Sequence, residues 1–213
     1  FKGFSRDFAQ HRPYAPGDEL KSLDWKAYAR QDRFYVREYQ AENLLNATLL
    51  LDASGSMGFS HQGRPAKWET ACRLAMALAY LVLARGDAAG LITFDVEPRQ
   101  AVPPRGTLGH LEVFDALLGS LSPRGETDLG AVLEASAARI RRRSLVILIS
   151  DLLGDAEAIL KVVKAFKARK HEVLVLQVLD PAERDFPYEG PVVFESLEES
   201  SELYCDATGL ASL

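Results

Sequence analysis

The chain has 213 residues, 47% of them apolar, which suits one ordinary domain with a real core, or one domain plus an appendage. Its 25 basic and 30 acidic residues leave a net charge of −5, so no global charge signal points to nucleic acid. The charge is uneven: residues 1–40 carry eight Lys/Arg against six Asp/Glu, and residues 180–213 carry one Arg against nine Asp/Glu. The acidic end reads as a solvated face that could also present carboxylates to a basic partner.

Residues 1–33 read as a polar leader with aromatic punctuation. Pro13, Pro16 and Gly17 argue against regular structure at its start, and Pro16-Gly17-Asp18 reads as a turn. Asp18, Asp24 and Arg30 read as ion pairs or turn makers, and Trp25 as buried packing that ties the leader to the core domain. "FYVREYQAE" has the alternation of an exposed strand. "LLNATLLL" (44–51) is an apolar run of strand length that ends at Asp52, and 59–65 is a polar loop. Residues 66–85 predict a long helix, apolar nearly all round, of the kind that packs on a sheet and on other helices together. "AAGLITF" (88–94) predicts a second buried strand, and "VEPRQAV" an antiparallel neighbour. Helices are predicted at 107–120 and 128–142. A third buried strand, "SLVILIS" (144–150), ends at Asp151, and a helix over 156–169 follows with Asp155 as its N-cap. "EVLVLQVL" (172–179) predicts a fourth strand and "PVVFE" (191–195) a fifth, and no closing helix is evident in the acidic tail.

Apolar strands alternating with helices are the signature of a mostly parallel sheet covered on both faces, a three-layer doubly wound α/β fold. The domain organisation expected is a leader over 1–40 packed on a core domain over 41–213. Cys72 falls within the long helical pattern and reads as a small core residue; two thiols without a spacing motif favour a reducing compartment. The longest apolar run, Leu74 to Ala84, is 11 residues, against the ~20 that a membrane-spanning helix needs. No signal peptide is visible, and the expectation is a cytoplasmic location, with a membrane anchor outside these residues left open.

The stretch "LLLDASGSMG" (49–58) carries the chemistry. In an open parallel sheet, ligands bind beyond the carboxyl ends of the strands, where Asp52 and Asp151 both stand. The spacing Asp52-x-Ser54-x-Ser56 leaves a carboxylate and two hydroxyls on one short loop. Such hard oxygen donors suit Mg²⁺, Mn²⁺ or Ca²⁺ rather than Zn²⁺. The loop "RGETDLG" (124–130) adds Thr127, and the end of the third buried strand adds Asp151. Each residue also has a plainer role: Asp52 as a strand end, Ser54 and Ser56 as turn formers, Thr127 as a helix N-cap and Asp151 as a loop cap.

The order Asp52, Ser54, Ser56, Thr127, Asp151 resembles the metal-ion-dependent adhesion site of von Willebrand factor A domains, and the strands and helices over roughly 40–195 resemble that fold. The resemblance implies that Ser54, Ser56 and Thr127 touch the metal, that Asp52 and Asp151 act directly or through water, and that a partner's Asp or Glu completes the ion. The leader extends the match. Tyr14, Gly17, Asp18, Asp24, Trp25, Ala29 and Arg30, followed by Asp52, Ser54, Ser56 and Met57, resemble the bacterial family called domain of unknown function 58. That resemblance implies a von Willebrand A-like module that works as an adaptor with a MoxR-type AAA+ ATPase.

Two enzyme readings compete. Ser54-Gly55-Ser56-Met57-Gly58 nearly fits a Gly-x-Ser-x-Gly nucleophile elbow, but Ser54 stands where the first Gly belongs and a polar loop follows where a helix should start. A phosphatase built on Asp52 wants a second Asp where Ser54 stands. No Gly-x-x-x-x-Gly-Lys-Ser/Thr loop is present, so the chain is not itself a P-loop ATPase. The expectation is a non-enzymatic, metal-dependent interaction module; the alternatives are a metal-independent structural module and a serine hydrolase using Ser56.

Overall fold

The structure, a computed structural model, describes residues 6–18, 23–31, 33–41, 45–126, 129–140, 143–154, 156–198 and 201–208. Thr127 and the expected cap Asp155 lie outside them. The chain divides into two compact units, residues 1–44 and 45–213.

The first unit holds β1 (Arg6–Pro13), α1 (Trp25–Gln31) and β2 (Tyr35–Ala41). β1 and β2 pair antiparallel from Arg6↔Ala41 to Pro13↔Tyr35, with a register shift between Phe8 and Gln10. The expectation of an irregular start is therefore corrected. Pro13 is the last residue of β1, where a missing N–H disturbs the ladder least. The turn expected at Pro16-Gly17-Asp18 is present. Gly17 has φ 111, and Asp18 accepts from the Ala15 N–H (2.9 Å) and from Arg12 (2.8 Å). Arg12 holds the Asp18 carboxyl below its ordinary range. Asp24 caps α1 by accepting from the N–H groups of Lys26 (2.9 Å) and Ala27 (3.2 Å). Trp25 is 60% exposed, contrary to the burial expected of it. It is the first helical residue and meets Tyr28 edge to face, while Leu23 and Val36 take the interior. Phe34 stacks on Tyr28 (centroids 4.5 Å apart).

The second unit opens with β3 (Asn46–Asp52), a 3-10 turn (Gly55–Gly58), α2 (Lys67–Ala84), β4 (Ala88–Phe94) and β5 (Pro98–Arg105). It continues with α3 (His110–Gly119), α4 (Leu129–Arg139), β6 (Leu145–Ser150), α5 (Ala156–Ala168), β7 (Glu172–Gln177), α6 (Pro181–Asp185), β8 (Pro191–Glu195) and β9 (Glu202–Asp206). The five-stranded sheet has the order β5-β4-β3-β6-β7, with β5 antiparallel and the rest parallel. Alternate residues of the central strands feed two cores. Leu49, Leu51, Leu91, Ile147 and Ile149 meet α2 and α3, while Leu50, Ile92, Phe94, Val146 and Leu148 meet α4 and α5. The three-layer, doubly wound, mostly parallel α/β architecture expected from the sequence is thus present. Apolar residues on both faces of one strand make its sequence read as a continuous run.

α2 approaches the sheet through Ala71, Ala75 and Ala79, all fully buried, whereas Tyr80 and Leu81 face solvent. The strand expected at 191–195 is present as β8, and the antiparallel neighbour expected after β4 is β5; only the place of β8 differs from a continued sheet. β8 pairs with β9 in a separate hairpin, from Pro191↔Asp206 to Glu195↔Glu202. Cys72 packs partly buried against the α2 core, and burial pushes its thiol up to about 12. Among the described residues, no helix is long and apolar enough to cross a membrane.

His171, just before β7, is buried, and its Nδ1 accepts the Ser144 N–H at 3.2 Å. Burial and the nearby Arg169 hold the ring below its ordinary value of 6.5, which favours its neutral form in the folded state. A depressed folded-state value means stability that is present above pH 6.5 and is lost as pH falls below it. Urea unfolding is expected to show this acid decline in wild type and a shallower one in His171→Asn, whose side-chain oxygen can still accept the Ser144 N–H. Equal slopes in the two proteins contradict the assignment.

Candidate functional site

β3 runs through the middle of the sheet, buried from Ala47 to Asp52. Its parallel neighbours end level with it. β4 is in register to Asp52↔Phe94 and β6 to Leu51↔Ile149, which sets Ser150 beside Asp52. Ser150 Oγ donates to Asp52 Oδ2 at 2.6 Å, and the Ser54 N–H donates to Oδ1 at 3.0 Å. The carboxylate thus both locks two strand ends together and turns its own loop, as aspartates do through local backbone bonds. The loop then enters the 3-10 turn, whose Met57 is fully buried. The turn brings Ser54 Oγ and Ser56 Oγ within 3.1 Å of each other. Asp52, Ser54 and Ser56 are 1%, 0% and 8% exposed.

The loop that carries Thr127 is tied to this one. The Arg124 N–H donates to the Ala53 carbonyl at 3.0 Å, and the Gly55 N–H donates to the Gly125 carbonyl at 2.8 Å. Gly125 has φ 76, a left-handed conformation that glycine adopts without strain. Thr127 itself lies outside the described residues.

Asp151 is buried at the end of β6, and its charge is near enough to act on Asp52. Burial holds the Asp52 carboxyl above its ordinary range, with Asp151 adding to the rise and the Ser150 and Ser54 bonds opposing it. Loss of hydration disfavours the ionised carboxylate, and a cation beside it reverses that preference. The donor set fits a hard divalent ion: one carboxylate and two facing hydroxyls on one buried loop, with a second carboxylate beside them. Among the described residues, no group of three or more His, Cys, Asp or Glu side chains could hold a metal, so such a site depends on the serine hydroxyls.

The profile of the family described as "Protein of unknown function DUF58" matches residues 10–209. The chain belongs to that family. An uncharacterized protein of Mycobacterium tuberculosis, Rv1480, is 30% identical over 192 residues, covering 89% of this chain and 60% of the relative. The chain thus spans about 60% of the length of the mycobacterial relatives it matches. Two solved structures share its fold. The conserved hypothetical protein BatB of Bacteroides thetaiotaomicron has a TM-score of 0.54 at 18% identity, covering 79% of this chain and 83% of that one. An aerotolerance-related membrane protein of Bacteroides fragilis has a TM-score of 0.52 at 20% identity, covering 78% and 84%.

In this DUF58 chain the structure gathers Asp52, Ser54, Ser56 and Asp151, and adds residues that the sequence reading missed. Lys67, the first residue of α2, is 3% exposed, and its Nζ donates to Asp151 Oδ2 at 2.8 Å and to Glu183 Oε1 at 2.6 Å. Glu183 also accepts the Asp180 N–H at 2.8 Å, which fixes it at the start of α6. A signal for Lys67 was available. A cation in the first turn of a helix opposes the helix dipole, so it needs an anion close by. The Ser56 N–H donates to Glu198 Oε1 at 3.4 Å, a pairing across 142 positions that no local pattern announces. His171 precedes β7 and so stands at the opposite end of the parallel sheet from Ser56, too far to serve it as the base of a hydrolase.

Lys67→Met leaves Asp151 buried without its cation, a change that typically costs about 3–5 kcal/mol. The melting temperature is expected to fall by about 10 °C, measured by calorimetry in EDTA. An unchanged melting temperature contradicts the role given to Lys67.

Proposed function

We propose that this chain is a protein-interaction module that takes a partner's carboxylate on a divalent cation held at the ends of β3 and β6. Asp52, Ser54 and Ser56 hold the ion, joined by Thr127 as the family resemblance implies. Asp151, with one oxygen already bonded to Lys67, contributes its charge and a water-mediated contact. Mg²⁺ fits this division best because it keeps several of its waters and takes few protein carboxylates; Mn²⁺ and Ca²⁺ are the other candidates. The bound ion supplies Lewis acidity and an open position.

The observation that carries the reading is the buried pair of hydroxyls, Ser54 Oγ and Ser56 Oγ, 3.1 Å apart beside the Asp52 carboxylate. A loop shaped only to end a strand has no need to bury two hydroxyls against each other. Charge supports the same direction. Lys67 offsets Asp151, so the two strand-end aspartates alone leave an ion on this loop with positive charge to attract a further carboxylate. The module acts by binding and not by turnover. The partner implied by the family resemblance is a MoxR-type AAA+ ATPase, which contributes an Asp or Glu to the ion.

Mg²⁺ at about 100 times its dissociation constant is expected to stabilise the protein by about 2.7 kcal/mol. This corresponds to a rise in melting temperature of about 5–10 °C, absent in Asp52→Ala. A purified MoxR-type ATPase of the same organism is expected to bind wild type in Mg²⁺, but neither wild type in EDTA nor Asp52→Ala. Equal binding under all these conditions identifies a metal-independent module and overturns the proposal.

A further inference from the structure

The β8–β9 hairpin reaches the site loop. At its tip the Ser196 N–H donates to the Ser201 carbonyl at 2.9 Å, and the Glu198 N–H donates to Ser196 Oγ at 3.3 Å. Three features seat the tip. A Cβ placed on Gly55 would collide with the Leu197 carbonyl, so the tip backbone lies directly on the residue between Ser54 and Ser56. Glu198, half-buried, turns its carboxylate to the Ser56 N–H. An aromatic run from Phe194 through Tyr188 to His61, with centroids 5.3 and 5.4 Å apart, ties the hairpin to the loop after the 3-10 turn. The rest of the hairpin is open to solvent at Val193, Leu203 and Tyr204.

We infer that Glu198 is an internal ligand of the same rim. Its carboxylate takes the position on the bound cation that a partner's Asp or Glu would occupy, so the hairpin tip competes with the partner. This inference rests on the metal reading above. It supplies a reason for the contact at Gly55: the tip must lie against the loop for a glutamate of ordinary length to reach the hydroxyl pair.

The test uses Mn²⁺ alone, titrated into wild type, Glu198→Gln and Asp52→Ala, and followed by electron paramagnetic resonance and by water-proton relaxation. Wild type binds Mn²⁺ and Asp52→Ala does not. Glu198→Gln binds about tenfold more weakly, because the ion loses one charged ligand, and its bound Mn²⁺ carries one additional exchangeable water. N-acetylglutamate then binds the Mn²⁺ form of Glu198→Gln more tightly than that of wild type. If Mn²⁺ binds wild type through Asp52 but Glu198→Gln matches it in affinity and water count, the internal ligand is refuted and the metal site stands. If wild type shows no Asp52-dependent Mn²⁺ binding, both fall.

Discussion

The hydrogen bond from Ser150 Oγ to Asp52 Oδ2, 2.6 Å long and buried, is the constraint on which the site depends. It exists because two parallel strands in the middle of the sheet stop at the same level. Parallel pairing of β3 with β6 leaves their carboxyl ends side by side, and the buried residues on both faces hold the register: a slip by one residue would turn each strand's side chains to the opposite core. Once Asp52 is held, its second oxygen turns the following loop, and the two serine hydroxyls fall into place. The chemistry at the rim is thus a consequence of how two apolar strands end.

The same rim carries a resident cation. Lys67 is buried between Asp151 and Glu183, and its first-turn position on α2 would be unfavourable without them. Its presence separates the two carboxylates that the sequence reading treated as equivalent. Asp151 is already paired with Lys67, whereas among the described residues the donors to Asp52 are neutral, and burial holds its carboxyl above its ordinary range. An ionised Asp52 without a cation is a strained arrangement in electrostatic terms. On the proposed reading a divalent ion offsets that cost, and Glu198, which accepts the Ser56 N–H, brings a further carboxylate to the same loop.

Much of this was legible in the residues. Runs such as "SLVILIS" name buried parallel strands because both faces of the strand need apolar side chains, and the aspartates that end them mark the binding edge. Asp52, Ser54 and Ser56 were readable as one unit because their spacing is local. What was not legible depends on distant pairing. β1 was hidden by Pro13, which sits at the strand's end and not within it. "PVVFE" looks like the other apolar strands but finds its partner in β9, so its alternation serves a hairpin. Trp25 was expected in a core because tryptophan usually is, yet it opens α1 exposed, while Leu23 and Val36 are the buried apolar side chains among the described residues of its unit. Lys67 to Glu183 and Ser56 to Glu198 join positions more than a hundred residues apart.

The central claim is that Asp52, Ser54 and Ser56 share one ion. Anomalous diffraction from crystals grown with Mn²⁺ tests it most directly. The account predicts a single strong peak within about 2.0–2.6 Å of oxygens from Ser54 and Ser56, with the Asp52 carboxylate at the same ion directly or through one water. No peak at the end of β3, or a peak coordinated elsewhere on the molecule while these hydroxyls stay bonded to each other, contradicts it.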